Sequence, residues 1–255
     1  MARRSSRFST PPAGIDPGWH RWAKVGLIRA VAEVMLHSQG DESLEAACSW
    51  LSDHRYLNTA VVLDALLERV APLIGIEKSP GTTLNDESLR RVARLYPRAR
   101  FLHLVRHPTT TQLSMQRHWS GRPWTPSDLP DVCARVWYLT HLRILAVSQE
   151  LARDAYLRVR AEDILNEPAD TLRRVTEWLG LCGDDNAVEA MLHPERSPYA
   201  HAVAIGPAND PGFVRDPVLR RVDAPNTIEV PASWRLDAGT KKGVLKVAEF
   251  HGYSS

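Results

Sequence analysis

Arg100-Phe101-Leu102-His103-Leu104-Val105-Arg106-His107-Pro108, continuing through Thr109 to Ser120 as TTTQLSMQRHWS, is the stretch that decides the fold. Phe101 to Val105 is too short for an independent helix and is bounded by arginines, so it reads as a buried parallel strand. Arg106 then stands at the carboxyl end of that strand, where open α/β sheets place their ligands. Pro108 presets the backbone for a first helical turn, Thr109 to Thr111 offer hydroxyls, and Ser114 falls eight residues after Arg106. A guanidinium fork and a serine hydroxyl near a helix start suit a phosphate group. The competing reading is an ordinary strand-to-helix turn whose arginine caps neighbouring carbonyls.

The rest of the chain bounds what such a site can serve. At 255 residues and 44% hydrophobic content it can bury a large core, and no break in composition divides it. The expectation is a flexible arm over residues 1–18, rich in Arg, Ser and Pro, followed by one domain over 19–255. Its 32 basic and 30 acidic residues leave a formal charge of +2, so any anion site is local and a bulk nucleic-acid surface is not expected. Cys48, Cys133 and Cys182 lack metal-ligand spacing and read as reduced core thiols of a cytoplasmic protein. No apolar run reaches the roughly 20 residues that span a bilayer, and no signal-peptide core is visible.

Outward from the central stretch, apolar spacing predicts helices over Trp19–Leu36, Ser43–Leu51, Thr59–Val70 and Asp86–Tyr96. Lys24, Arg29 and Glu33 fall on the polar side of the first. Trp19, Trp22 and Trp50 read as core residues, with an acceptor pocket as the rarer alternative. Leu73–Ile76 reads as a second strand, and with the Asp86 helix it would form a right-handed β-α-β unit leading to Phe101. Further helices are expected over Asp131–Asp154, Pro168–Leu179 with Gly180 as C-cap, and Trp234–Phe250, with a third strand at Tyr156–Val159. Gly121, Pro123, Pro126 and Pro130 mark a surface loop. His103, His107 and His118 cluster in sequence, but a strand-turn context does not set them on one helical face. No metal is expected.

Arg106 and Ser114, in type and spacing, resemble the sulfotransferases that use 3'-phosphoadenosine 5'-phosphosulfate (PAPS), in which this pair holds the 3'-phosphate. The resemblance extends to Glu77-Lys78-Ser79-Pro80, 28 residues before Arg106 when counted from Lys78, and to Tyr156-x-x-Val159-Arg160-x-Glu162-Asp163-x-Leu165 with Pro168 and Trp178-Leu179-Gly180-Leu181. It covers residues 60–180 well and the tail loosely. It implies a three-layer α/β/α fold with a mainly parallel central sheet, of the P-loop NTPase-like sulfotransferase type and without its usual first strand.

Sulfuryl transfer requires a base for the acceptor's proton and a cation beside the departing phosphate. The resemblance assigns these roles to Glu77 and Lys78, whose alternation along a strand would point one at substrate and the other away. It implies PAPS as co-substrate and a small-molecule or glycan hydroxyl, or an amine, as acceptor. Two departures stand out. Ala161 occupies a position where many members carry an aromatic residue near adenine, and no glycine-rich 5'-phosphosulfate loop precedes Trp19. Lys78-Ser79-Pro80-Gly81-Thr82-Thr83 is a look-alike for that loop, and Arg215, Arg220 and Arg221 are candidates for a late basic loop. A catalytically inactive, truncated PAPS- or PAP-binding homologue is therefore the alternative. A P-loop kinase is disfavoured by the missing Walker loop.

Overall fold

The structure is a computed structural model that describes residues 19–121, 125–203, 211–223 and 226–254. The expected arm over 1–18, parts of the Gly/Pro-rich segments at 122–124 and 204–210, and the side chains of residues 19–24, 211 and 212 lie outside that description. So do the expectations for the Trp19 and Trp22 side chains. The described residues fall into two compact units, one from 19–82 with 193–218 and the other from 83–192 with 219–254.

The first unit is helical. α1 (Trp19–Leu36), α2 (Asp41–Asp53) and α3 (Thr59–Val70) bury Ile28, Val31, Ala32, Leu44, Ala47 and Leu66 against one another. Asn58 accepts the Val61 N–H and so caps the start of α3. Arg29 departs from the polar side expected of it and is only 1% exposed. Its Nε donates to Gln39 and its Nη2 to the Pro198 carbonyl, with the guanidinium over the Tyr199 ring, so hydrogen bonds and a π face replace the water it lost.

Leu73–Ile76 is not a strand. The segment after α3 is irregular up to a 3-10 turn over Pro80–Leu84, and Leu73, Ile74 and Ile76 are exposed, Ile76 by 87%. At Gly75 the backbone passes so close to Leu67 of α3 that a Cβ would overlap that side chain. A short apolar run becomes a strand only where a neighbour completes its ladder, and none of the described strands pairs with this one. The expected β-α-β unit through Leu73–Ile76 is therefore absent among the described residues.

The second unit opens with α4 (Asp86–Leu95), whose Asn85 cap accepts the Ser88 N–H. β1 (Phe101–Val105), α5 (Pro108–Trp119), α6 (Leu129–Ser148) and β2 (Tyr156–Arg160) follow. β1 and β2 pair in parallel, Phe101 opposite Tyr156 through Val105 opposite Arg160, with α5 and α6 in the crossover. Instead of the broad central sheet expected from the sequence, this two-stranded sheet stands in a mostly helical α/β fold. β1 alternates as a half-buried strand, His103 and Val105 inward and Leu102 and Leu104 outward, rather than lying buried on both faces.

α7 (Ala161–Asn166), α8 (Pro168–Leu179) and α9 (Asp185–Met191) come next, and Gly180 ends α8 in the left-handed region at φ 68°. α10 (Pro211–Arg215), in the first unit, precedes the closing α11 (Ala238–Phe250) of the second. α11 starts four residues later than its apolar pattern suggests, because Asp237 caps it by accepting the Thr240 N–H at 2.8 Å. Val105, Ala134, Trp137, Ile228, Trp234, Leu236, Val244, Val247, Ala248 and Tyr253 form the core of this unit. No described helix is long and apolar enough to cross a membrane.

Candidate functional site

The turn from β1 into α5 is clamped on both sides of one peptide. The buried Trp137 of α6 donates its indole N–H to the Arg106 carbonyl at 2.9 Å. The buried Glu162 of α7 accepts the next amide, His107 N–H, at 2.9 Å through Oε1, and the Tyr253 hydroxyl at 2.7 Å through Oε2. His107 is the N-cap residue of α5, Pro108 occupies the first helical position, and the His107 ring meets the Tyr253 ring edge-on with centroids 5.1 Å apart. Burial, then the Glu162 carboxylate, pushes the Tyr253 phenol up, so it stays protonated and donates. Burial also lowers the His107 pKa and keeps that ring neutral at pH 7.

What the clamp presents is open to an anion. Arg106 is exposed, and among the described residues its guanidinium has no hydrogen-bond or ion-pair partner. Ser114, half-buried on α5, likewise has no side-chain partner among the described residues. The buried hydroxyl oxygens of Thr109 and Thr111 and Nδ1 of His107 are also unpartnered there. An exposed cation without a carboxylate beside a helix amino terminus suits an anion.

Glu77 and Lys78 sit in the first unit, in the irregular segment before the 3-10 turn, and both are exposed without a hydrogen bond or ion pair among the described residues. Because this segment is not a strand, the expectation that the two side chains alternate across a sheet does not apply to it. In the look-alike loop Gly81 is buried and the Thr82 N–H closes onto the Ser79 carbonyl at 3.0 Å, a tight turn that uses one of its own amides. Arg215 is exposed at the end of α10, and Arg220 and Arg221 are exposed in the second unit.

Every lettered position from Tyr156 to Glu162 has a structural task. Tyr156 hydrogen-bonds His103 at 2.7 Å, and Val159 is buried. Arg160 pairs with Asp163 and donates to the Gly252 carbonyl and Asn226, while Glu162 holds the His107 amide. Glu162 and Trp137 were not singled out as site residues by sequence reasoning. The Glu-Asp motif is a signal for the first; for the second, a tryptophan on an amphipathic helix carries none.

The chain matches the family model described as "Sulfotransferase family" over residues 19–185, and it belongs to that family. Two solved structures share its fold. The sulfotransferase domain from the Synechococcus PCC 7002 olefin synthase is 21% identical with a TM-score of 0.68, over 94% of this chain and 82% of that one. The sulfotransferase domain from the curacin biosynthetic pathway is 20% identical with a TM-score of 0.68, over 96% and 89%. No curated protein matches the chain.

Proposed function

We propose that this protein transfers a sulfuryl group from PAPS to a hydroxyl or amine of an acceptor. The observation that carries the reading is the exposed Arg106 guanidinium, unpartnered among the described residues, at the end of β1, on a backbone fixed by Trp137 at the Arg106 carbonyl and by Glu162 at the His107 amide. In this reading Arg106 and Ser114 bind the 3'-phosphate. Glu77 takes the acceptor's proton and Lys78 neutralises charge on the leaving phosphate. PAPS supplies an activated sulfur: the acceptor oxygen or nitrogen forms a bond to it while the sulfur–oxygen bond to the 5'-phosphate breaks. The roles of Glu77 and Lys78 rest on the resemblance of Glu77-Lys78-Ser79-Pro80, supported by two exposed side chains without partners among the described residues.

The second reading, a PAP-binding protein without turnover, is favoured by one observation: the look-alike loop folds as a tight 3-10 turn rather than a ring of outward amides. Calorimetric titration with 3',5'-adenosine bisphosphate and, in parallel, adenosine 5'-phosphate isolates the 3'-phosphate contribution. The bisphosphate is expected to bind more tightly, and Arg106→Ala to erase about 1.5–3 kcal/mol of that preference. Equal affinity for the two nucleotides would overturn the assignment. Glu77→Gln is expected to reduce turnover of PAPS by about 100-fold or more with bisphosphate affinity retained; binding without turnover in the wild-type chain would favour the second reading.

A further inference from the structure

Three histidines far apart in sequence meet inside the second unit. His103 comes from β1, His141 from α6 and His251 from the end of α11, and they are 4%, 7% and 1% exposed. Their ring centroids form a near-equilateral triangle with sides of 4.9, 5.3 and 5.1 Å. One nitrogen from each ring lies within 4.8 Å of the other two. Trp137 closes the cluster against His141 and His251.

The hydrogen bonds around these rings leave the His103 lone pair facing inward. The Tyr156 hydroxyl lies 2.7 Å from His103 Nδ1, and an Nδ1–H donated to it leaves Nε2 as the ring's acceptor. That Nε2 meets His141 Nδ1 at 2.7 Å. His251 Nε2 is buried with no partner among the described residues, and desolvating an imidazole nitrogen without compensation is unfavourable. Three neutral imidazoles cannot satisfy one another in a triangle unless each N–H finds a lone pair, and here one nitrogen remains over.

We propose that His103, His141 and His251 bind one divalent transition-metal ion of the zinc class, through His103 Nε2, His141 Nδ1 and His251 Nε2. Imidazole nitrogens suit zinc, nickel and copper, and three of them leave a fourth position for a water. Ligand nitrogens about 2.0–2.1 Å from a tetrahedral ion stand about 3.3 Å apart, so the His103–His141 contact opens by about half an ångström as the ion replaces the shared proton. His141 then carries its proton on Nε2 and His251 on Nδ1, in place of the long Arg158 contact there, and no net proton is released. Arg158 opposes a cation electrostatically, but its Nη1 turns to the Phe250 carbonyl at 2.7 Å and meets His251 Nδ1 only at 3.5 Å. Tyr156 and Arg158, which contact His103 and His251, also line a surface pocket of about 530 Å³ with Ser148, Gln149 and Phe250. The bound ion ties β1, α6 and α11 together.

The test uses the full chain after chelator dialysis and does not depend on sulfuryl transfer. Zn²⁺ is expected to bind at one equivalent and raise the melting temperature, and Co²⁺ to give visible d–d bands of a four- or five-coordinate site. His251→Gln and His141→Gln should each weaken binding by on the order of 100-fold, and Tyr156→Phe by about 10-fold through loss of the partner that orients His103. His193→Gln, at a surface histidine paired with Glu195, should leave binding unchanged. Absence of stoichiometric Zn²⁺ and Co²⁺ binding would overturn the proposal, as would binding that survives both glutamine variants. If those variants fail to fold, X-ray absorption of the zinc-loaded wild-type chain decides: imidazole scattering from three rings supports the site, and a sulfur shell or oxygen-only shell refutes it.

Discussion

Glu162 is the residue on which the Arg106 turn depends most directly, since one buried carboxylate accepts from both the His107 amide and the Tyr253 hydroxyl. Removing it with Glu162→Ala orphans two buried donors, at about 1–3 kcal/mol each, and the expected loss is about 2–6 kcal/mol by urea denaturation. A variant within 0.5 kcal/mol of wild type (about the scatter of neutral surface changes) would show that the clamp is dispensable. His107 beside it makes a pH prediction. Its folded pKa lies below the ordinary value, so between the two the unfolded chain binds a proton that the folded ring refuses. Its contribution to stability is therefore complete above about pH 6.5 and declines as the pH falls below that value. Urea midpoints of wild type and His107→Gln should differ in their slope between pH 7.5 and pH 5, with the variant flatter; parallel curves would refute a neutral buried His107.

At the scale of elements, α11 is held against α6 by a close approach. A Cβ at Gly243 would lie 2.5 Å from Tyr138 Oη and 2.6 Å from its Cζ, so Gly243→Ala must displace the tyrosine ring. The expected cost is about 1–3 kcal/mol, larger than the roughly 1 kcal/mol that alanine gains over glycine in a helix. In a Tyr138→Ala background the obstacle is gone, and the same Gly243→Ala change should become stabilising. A double-mutant cycle measures the change of sign, and an unchanged sign would show that the helices do not meet there. β1 and its turn illustrate what local sequence can reveal. Arginine boundaries and a helix-starting proline mark Phe101–Val105 and Pro108 without reference to the rest of the chain. Leu73–Ile76 has the same apolar appearance, yet the ladder that makes a strand must come from elsewhere in the chain, and the described strands supply none.

In the whole molecule, membership of the sulfotransferase family and the placement of Arg106 after β1 and of Ser114 on a helix were legible because both reside in short contiguous motifs. Helix starts were legible to within four residues for the same reason, since caps such as Asn58, Asn85 and Asp237 act within one turn, whereas α6 ends at Ser148, six residues before the expected Asp154. Contacts across long sequence separations were not. Glu162 reaches an amide 55 residues away, His141 meets a ring 38 residues away, and His251 joins them from the far end of the second unit. Sequence reading grouped His103 with His107 because they are neighbours in the chain; the structure groups His103 with His141 and His251 instead. The sequence by itself determined where helices begin, which arginine ends β1 and to which family the motifs belong, because hydrogen bonding within a turn or two encodes each of these. Tertiary structure alone decided that Arg29 is buried, that the sheet has two described strands, and that a carboxylate and three imidazoles converge behind β1. Those outcomes depend on which distant surfaces close over one another and exclude water, and periodicity along the chain does not specify that choice.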